Sequence, residues 1–303
     1  MAKALDSICR ARPLLGTFVE ISALNGEVRH LEQAVESAFA AVERVHRLMS
    51  YHDAESDVSR VNRASSNEPI LIDGWTYSVL RTSLEIQRQS KGLFNIAVGS
   101  TLEHLGLLPR SPEGHSRRER FIPQNAVELL SGYRACLQVA GGKIDVGGIA
   151  KGFAVDQAVC VLREHGVLGG VVNAGGDLFG FGPDEHLVGI RDPCEATRLL
   201  ACTTVREAAL ASSGLTFDTM VSNRSSHCSI IDPRFGAPVT AIRGATVRAA
   251  SCVIADALTK VVMIAGRDAS EVLDHYRASA LFVTTTGEVL ATTDWQDEQS
   301  LAA

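Results

Sequence analysis

Residues 143–155 constrain the fold of this chain more than any other segment. A short apolar stretch ends at the glycine pair Gly147-Gly148, and helix-forming residues follow at once. Glycine lets a backbone approach a ligand without a Cβ atom in the way, and the first turn of a helix presents unpaired N–H groups. Lys151 adds a cation at the same place. The pattern predicts a strand that turns into a helix and binds an anionic, phosphate-bearing ligand.

A second glycine turn follows in residues 169–177. There, β-branched residues precede Gly175-Gly176, and Asp177 comes next. We interpret residues 150–165 as a helix between the two turns, which predicts a βαβ unit with both turns at one cleft. Neither segment matches the GxGxxG or the GxxxxGK(S/T) pattern. A purely geometric role for the glycines therefore stays an alternative.

The composition indicates an ordinary globular protein and excludes several functional classes. With 46% hydrophobic and 21% charged residues, the 303-residue chain can bury a large core. A net charge of -6 argues against nucleic-acid binding. Seven scattered cysteines without a CxxC pair indicate reduced thiols, not a disulfide framework or a zinc site. The sequence shows neither a membrane-spanning apolar run nor a secretory signal, so we expect a cytoplasmic protein.

Hydrophobic periodicity predicts helices that cover a sheet. We expect a single domain over residues 1–303, built as two interleaved α/β lobes around one cleft, with a polar loop at about 109–124 and a frayed tail at about 295–303. The predicted elements are a strand at 14–21, a helix over 28–45, a helix over 74–90 that ends at Gly92, antiparallel strands at 199–204 and 245–249, a helix at 254–265, and a hairpin of 280–284 with 288–291.

Ten short motifs lie in order along nearly the whole chain. They are Gly16-Thr17-Phe18, Met49-Ser50, 56–62, 92–99, 144–156, 172–177, 189–193, 211–214, 230–234 and 255–258. In this order the motifs resemble those of the ApbE family of flavin transferases, which move FMN from FAD onto a Ser or Thr hydroxyl of a target protein. The resemblance implies an α+β fold of the ApbE type, related to the T-fold, with mixed sheets and packed helices around one FAD cleft.

The resemblance also implies the ligands and the residues that bind them. Lys151 and the turn at Gly147-Gly148 would hold the FAD diphosphate, while Asp256 and a backbone carbonyl near Gly148 would bind a metal ion. Oxygen ligands of this kind suit Mg²⁺. The other implied cofactor-binding positions are Gly16, Thr17, Tyr51, His52, Asn173, Ala174, Gly175, Gly176, Asp177, Ser213 and Asp232.

Lys260 is the first departure from the family pattern. Family members commonly have Thr four residues after the metal-binding aspartate, where this chain has Lys260. Thr259 lies one position early, about a hundred degrees around a helix axis, and would not simply replace that ligand. Lys260 either places its ammonium near the phosphates, in part replacing a cation, or lies on the outer face as a solvated lysine. The i, i+4 spacing from Asp256 also makes an ion pair plausible.

Other departures affect the expected base and the flavin contacts. The block that usually begins with His begins here with Ser229, which is a poor proton acceptor at neutral pH. His227 lies two residues earlier, on the same face of a regular strand, and is either a substitute base or an exposed loop residue. His52 replaces a Tyr that often contacts the flavin ring, so either His52 or Tyr51 would stack on it. Asn95 takes a position that is often Asp.

Three functional hypotheses follow. The first is a Mg²⁺-dependent transferase that attaches FMN from FAD to a Thr or Ser of an acceptor flavoprotein and releases AMP. The second is a catalytically impaired FAD-binding protein, because Ser229 and Lys260 replace the usual His and Thr. The third is an FAD pyrophosphatase, in which water takes the place of the acceptor hydroxyl.

Overall fold

An eight-stranded sheet forms the centre of the protein, with the strand order β1-β2-β6-β7-β10-β13-β14-β15. The computed structural model describes residues 6–110, 122–195, 197–215 and 230–296. All neighbouring strands of this sheet are antiparallel. Its strands are β1 (Asp6–Leu14), β2 (Thr17–Gly26), β6 (Gly169–Ala174), β7 (Asp177–Phe181), β10 (Ala208–Gly214), β13 (Ile242–Ala249), β14 (Ser279–Thr284) and β15 (Val289–Ala291).

Three long helices cover one face of this sheet. They are α1 (Val28–Met49), α5 (Ala150–Glu164) and α6 (Cys252–Ala265). α1 packs on α5 and on strands β1 and β2, while α6 packs on α5, β10 and β13. The large buried side chains of this layer include Leu31, Phe39, Leu162 and Leu258. Burial of this apolar face is the main stabilising contribution to the α+β fold.

Segments 186–205 and 293–296 cover the other face of the sheet, and further small elements complete the described chain. Leu178 and Leu210 of the sheet pack there with Ile190, Val205 and the buried Trp295. The smaller strands are β3 (Ile70–Leu71), β4 (Val127–Leu130), β5 (Arg134–Leu137), β8 (His186–Arg191), β9 (Leu199–Val205), β11 (Ile231–Asp232) and β12 (Ala237–Pro238). The remaining helices are α2 (Asp57–Arg63), α3 (Gly74–Gln89), α4 (Gly99–His104), α7 (Ser270–His275) and α8 (Thr293–Gln296), with a 3₁₀ turn at Gly266–Ala269.

Several sequence predictions agree with these elements, and the α+β class is confirmed. The helices at 28–45, 74–90 and 254–265 and the hairpin of 280–284 with 288–291 are present, with bounds that differ by a few residues. Gly92 follows α3 with a φ of 86° and donates its N–H to Gln87 O. Within the described residues, no helix is both long and apolar enough to cross a bilayer.

Two expectations were wrong. Residues 143–148 form no strand, and β6 pairs antiparallel with β2 and β7, so the predicted βαβ unit is absent. The predicted strand at 14–21 is instead a hairpin that turns at Leu15-Gly16. The frayed tail at about 295–303 stays a prediction: Trp295 of α8 is buried, and residues 297–303 lie outside the described part, as do residues 111–121 of the polar loop.

Asp156 fastens α5 to the start of α6. Its Oδ1 accepts the Cys252 N–H at 2.8 Å and its Oδ2 accepts the Val253 N–H at 2.9 Å. The side chain of the N-cap residue Ser251 makes no capping hydrogen bond to α6. Burial raises the pKa of Asp156 to about 6, although the two N–H groups oppose the shift.

The raised pKa of Asp156 predicts a specific pH dependence of stability. The folded chain retains this proton up to about pH 6, whereas an unfolded Asp releases it near pH 3.9. The native state therefore binds more protons in this window, and the free energy of unfolding falls by up to about 3 kcal/mol as the pH rises through it. Urea unfolding of the wild type and Asp156→Asn at several pH values isolates this contribution. A stability difference between the two proteins that does not change with pH would contradict the assignment.

Candidate functional site

A cavity of about 420 Å³ opens between the helical layer and the loops around residues 93–98. We call it the cleft. This volume is in the usual range for small-molecule sites. Most of its lining is apolar, but one end carries the ionisable side chains of Asp145, Lys151 and Lys260. The lining residues are Leu15, Gly16, Val45, His46, Met49, Ser50, Tyr51, His52, Leu93, Phe94, Asn95, Ile96, Val98, Leu102, Leu107, Leu108, Asp145, Gly147, Gly148, Ala150, Lys151, Ile230, Ile231, Pro233, Lys260 and Ile264.

The segment 143–149 is extended without being a strand because a side chain provides its hydrogen bonds. Asn62 of α2 donates its Nδ2 to Ile144 O at 2.8 Å and accepts the Ile144 N–H on Oδ1 at 2.7 Å. On the other side, Asp145 N donates to Ile96 O and Gly99 N donates to Lys143 O. The segment is therefore fixed on both sides before it reaches the glycine pair.

The turn at Gly147-Gly148 brings the start of α5 to the polar end of the cleft. Gly147, Gly148, Ala150 and Lys151 line the cleft, and the N-cap residue Ile149 makes no side-chain hydrogen bond to the helix. Several N–H groups here already have partners, since those of Ile149 and Ala150 donate to Val146 O and that of Gly152 donates to Asp256 Oδ2. A helix start of this kind attracts anions.

Lys151 forms an ion pair with Asp177 at the start of β7. The Asp177 side chain is 1% exposed, and its Oδ1 also accepts the Ser212 N–H at 3.3 Å. Burial lowers the pKa of Lys151, but the Asp177 and Asp256 carboxylates outweigh this effect and raise it above its usual value. Lys151 therefore keeps its positive charge while it faces the cleft.

A second ion pair lies beside the first, within α6. Asp256 is wholly buried; its Oδ2 accepts the Gly152 N–H at 3.0 Å, and its Oδ1 accepts a hydrogen bond from the Lys260 ammonium. Lys260 also donates to the Asp256 carbonyl oxygen at 3.1 Å. Burial by itself raises the pKa of Asp256, but Lys260 and Lys151 outweigh burial and hold that pKa below its usual value. The polar end of the cleft thus carries two ammonium groups, each held by a buried carboxylate.

Thr259 points away from the cleft, as the helical offset from Lys260 predicts. Its hydroxyl donates to the Asp256 carbonyl oxygen at 2.7 Å and lies 2.8 Å from the Ser213 hydroxyl of β10. Thr259 is fully buried. Ser213 therefore supports α6 from behind and does not line the cleft.

The second glycine turn lies behind Lys151 and is outside the lining of the cleft. Asn173 accepts the Gly176 N–H on Oδ1 at 2.9 Å, and a Cβ atom on Gly175 would lie 2.5 Å from Thr17 Oγ1. Gly175 and Gly176 both have positive φ, which favours glycine. Among the implied cofactor-binding residues, those that do not line the cleft are Thr17, Asn173, Ala174, Gly175, Gly176, Asp177, Ser213 and Asp232, whereas Gly16, Tyr51, His52, Gly147, Gly148 and Lys151 line it.

Tyr51 is held rigidly at the apolar side of the cleft. Its hydroxyl donates to Glu103 Oε1 at 3.0 Å, and Lys143 Nζ donates to both Glu103 oxygens at 2.7 and 2.8 Å. Burial and the Glu103 carboxylate raise the pKa of Tyr51, so the phenol stays protonated. Sequence reasoning missed Glu103 and Lys143, because their pairing joins segments that are far apart in the chain.

Asp145 is another site residue that the sequence analysis did not single out. It lines the cleft, and burial raises its pKa, although a hydrogen bond from the Gly147 N–H and the charges of His52 and Lys260 oppose the shift. A signal was available in the sequence, since Asp145 lies between Ile144 and Val146 directly before the glycine pair. A carboxylate between two buried apolar residues is costly unless it has partners.

The remaining predicted residues lie beyond the described part or away from the cleft. His227 and Ser229 are outside the described residues. Asp232 forms an ion pair with Arg234 at 2.7 Å, while its neighbours Ile231 and Pro233 line the cleft.

Comparisons with known proteins identify relatives of this chain. A family model described as the ApbE family matches residues 15–282. A Treponema pallidum protein named FAD:protein FMN transferase is 25% identical over 287 residues, covering 86% of this chain and 79% of that protein. A Klebsiella pneumoniae protein of the same name is 25% identical over 217 residues, covering 69% and 68%.

Solved structures give the same result for the fold. The crystal structure of the ApbE protein from Thermotoga maritima superposes with a TM-score of 0.86 at 25% identity and covers 97% of this chain and 100% of that one. The apo flavinyl transferase ApbE from Pseudomonas stutzeri superposes with a TM-score of 0.83 at 18% identity and covers 100% of both chains.

Proposed function

We propose that this chain, which belongs to the ApbE family, transfers FMN from FAD to a Thr or Ser hydroxyl of an acceptor flavoprotein. The observation that carries the proposal is the pair of ammonium groups, Lys151 and Lys260, at the polar end of the cleft beside the start of α5. Two cations and a helix N-terminus form a site for a diphosphate. The relatives from Treponema pallidum and Klebsiella pneumoniae are named FAD:protein FMN transferase, which supports FAD as the substrate.

FAD has an anionic centre and an aromatic ring, and the cleft offers a suitable environment for each. The diphosphate would bind to Lys151 and Lys260 beside the positive end of the α5 dipole. The isoalloxazine ring would lie on the apolar side of the cleft, whose lining includes Tyr51, His52 and Phe94. Stacking on such a ring needs a fixed partner, and the Glu103 hydrogen bond fixes Tyr51.

The transfer would replace the phosphoanhydride bond of FAD with a phosphoester bond to the acceptor. The acceptor oxygen would form a bond to the phosphorus of the FMN half, the bond from that phosphorus to the bridging oxygen would break, and AMP would leave with the bridging oxygen. The hydroxyl proton would go to a base or to solvent. Lys151 and Lys260 would stabilise the negative charge that develops on the leaving phosphate. His227 and Ser229, the residues predicted at the base position, stay predictions.

Magnesium, which the family resemblance implies, does not fit the donors of the described residues. Mg²⁺ requires oxygen ligands in near-octahedral geometry. Both carboxylate oxygens of Asp256 are engaged, by the Gly152 N–H and the Lys260 ammonium. The Lys260 side chain also lies close to Gly148, near the other expected ligand, since a Cβ atom built on Gly148 would be 3.3 Å from Lys260 Cε. The described residues contain no group of three or more His, Cys, Asp or Glu side chains placed for a metal, so we derive no step through a metal ion.

The proposed reaction predicts a covalent change in the acceptor. Purified protein incubated with FAD and a candidate acceptor flavoprotein is expected to add FMN, with loss of water, to the acceptor and to release one AMP for each addition. Intact-protein mass spectrometry and chromatography of the nucleotides measure both products. A matched acceptor whose target Thr or Ser is replaced by Ala is the control.

Two other results would contradict the transferase proposal in distinguishable ways. Release of free FMN and AMP with an unmodified acceptor would identify an FAD pyrophosphatase. Bound FAD that stays intact with every acceptor tested would identify a catalytically impaired FAD-binding protein.

A further inference from the structure

We propose that the ammonium of Lys260 takes the place of a divalent cation at the FAD diphosphate, so that this chain binds FAD without a metal ion. The inference rests on the proposed function and goes further, because it concerns which cation neutralises the substrate. It follows from the position of one side chain and from the way its partners fix it.

The first step is the rigidity of the ammonium. Asp256 provides two acceptors for Lys260, its carboxylate Oδ1 and its carbonyl oxygen. The Lys260 side chain is 16% exposed and Asp256 is 0% exposed. A flexible lysine chain normally loses entropy when it is ordered at a ligand. Here the folded protein has already ordered it.

The second step is the donor that remains. An ammonium has three N–H groups, and within the described residues the recorded partners of Lys260 are the two acceptors of Asp256. Because Lys260 lines the cleft beside Gly148 and Lys151, its third N–H is available to an oxygen of a ligand there. The site thus provides a charged donor to the phosphates, in the role that a bound cation would otherwise have.

The third step is the balance of charge. At this end of the cleft Lys151 is paired with Asp177 and Lys260 with Asp256, and Lys260 also lies near Asp145. A divalent ion bound to Asp256 would have to displace the Lys260 ammonium or lie against a like charge, which is strongly unfavourable at a buried site. With Lys260 in place, a metal ion at Asp256 would therefore have to share Oδ1 with the Lys260 ammonium or Oδ2 with the Gly152 N–H.

FAD titrations with and without a divalent ion test the proposal directly. FAD affinity is measured from the quenching of flavin fluorescence in excess Mg²⁺ and in excess EDTA. Binding of Mn²⁺ is measured by electron paramagnetic resonance in the presence of FAD. For the wild type we expect equal FAD affinity in the two buffers, and no Mn²⁺ bound to the complex.

The variant Lys260→Thr should reverse this behaviour. We expect its FAD affinity in EDTA to fall by about 10- to 100-fold, because a charge-assisted hydrogen bond is lost. We also expect it to bind Mn²⁺ together with FAD, because an Asp256 oxygen is freed. Lys91→Thr is the matched control, since Lys91 is exposed and paired with Glu271 at the surface; it should behave as the wild type. Circular dichroism and thermal unfolding verify that each variant is folded.

Each outcome has a defined meaning. FAD binding by the wild type that needs Mg²⁺, Mn²⁺ bound to the wild-type complex, or a folded Lys260→Thr that binds FAD normally in EDTA or binds no Mn²⁺ would each overturn this inference and leave the proposed function standing. The wild-type measurements decide the question even if the variant does not fold. A wild-type protein that binds no FAD in either buffer would overturn the proposed function itself.

Discussion

Replacing Gly152 with alanine is expected to destabilise the protein by about 3 kcal/mol or more. Gly152 lies on α5 where α6 crosses it. A Cβ atom at this position would lie 2.2 Å from the Cys252 carbonyl oxygen and 2.8 Å from Asp256 Cβ. Since the first of these atoms belongs to a helix backbone, the clash cannot be relieved by a rotamer change, and the two helices must move apart.

The same displacement should weaken FAD binding. Gly152 donates its N–H to Asp256 Oδ2, so a shift of α6 also shifts Asp256 and Lys260. Chemical unfolding and FAD titration of Gly152→Ala measure both effects. Gly74→Ala is the matched control, because Gly74 starts α3 and a Cβ atom there would lie 3.7 Å from Tyr133, an ordinary contact. If Gly152→Ala were as stable as this control, the close crossing of α5 and α6 would be wrong.

Replacing Lys151 with methionine is expected to reduce both stability and FAD affinity. Without Lys151, the buried Asp177 carboxylate loses its ion-pair partner, which costs about 3 kcal/mol or more. Loss of a charged donor to the diphosphate should lower FAD affinity by about 10- to 100-fold. Both effects follow from one ammonium that contacts a structural carboxylate and faces the cleft.

A double variant separates these two roles of Lys151. In Lys151→Met with Asp177→Asn, no buried carboxylate is left unpaired, so stability should return most of the way to the wild-type value while FAD affinity stays low. Urea unfolding and flavin fluorescence give the two quantities. Recovery of FAD affinity in the double variant would show that Lys151 acts on the fold and does not contact the substrate.

The sequence predicted the local features of this protein well. The helices over 28–45 and 254–265 follow from hydrophobic periodicity, which depends on neighbours three and four residues away. The ion pair of Asp256 with Lys260 has the same local origin, because both lie on one helix. The glycine turn before α5 was also placed correctly at Gly147-Gly148.

Features that depend on distant partners were the ones missed. The hairpin at Leu15-Gly16 escaped prediction because Leu15 adopts a φ of 56° that is unusual for leucine. Segment 143–148 resembles a strand in sequence, but its partner is the Asn62 side chain and not another strand. Glu103 gave no signal, since its role depends on Tyr51 and Lys143.

The two hydrogen bonds between Asn62 and Ile144 couple the position of α2 to the turn at Gly147-Gly148. On the side that faces α2, a single amide fixes the backbone of Ile144, three residues before the glycine pair. In a regular β-ladder, hydrogen bonds to several residues of a neighbouring strand would hold the same backbone. Here the position of the turn depends on the orientation of one side chain, so a change that displaces α2 would also displace the turn that we propose for the diphosphate, without altering any residue that lines the cleft.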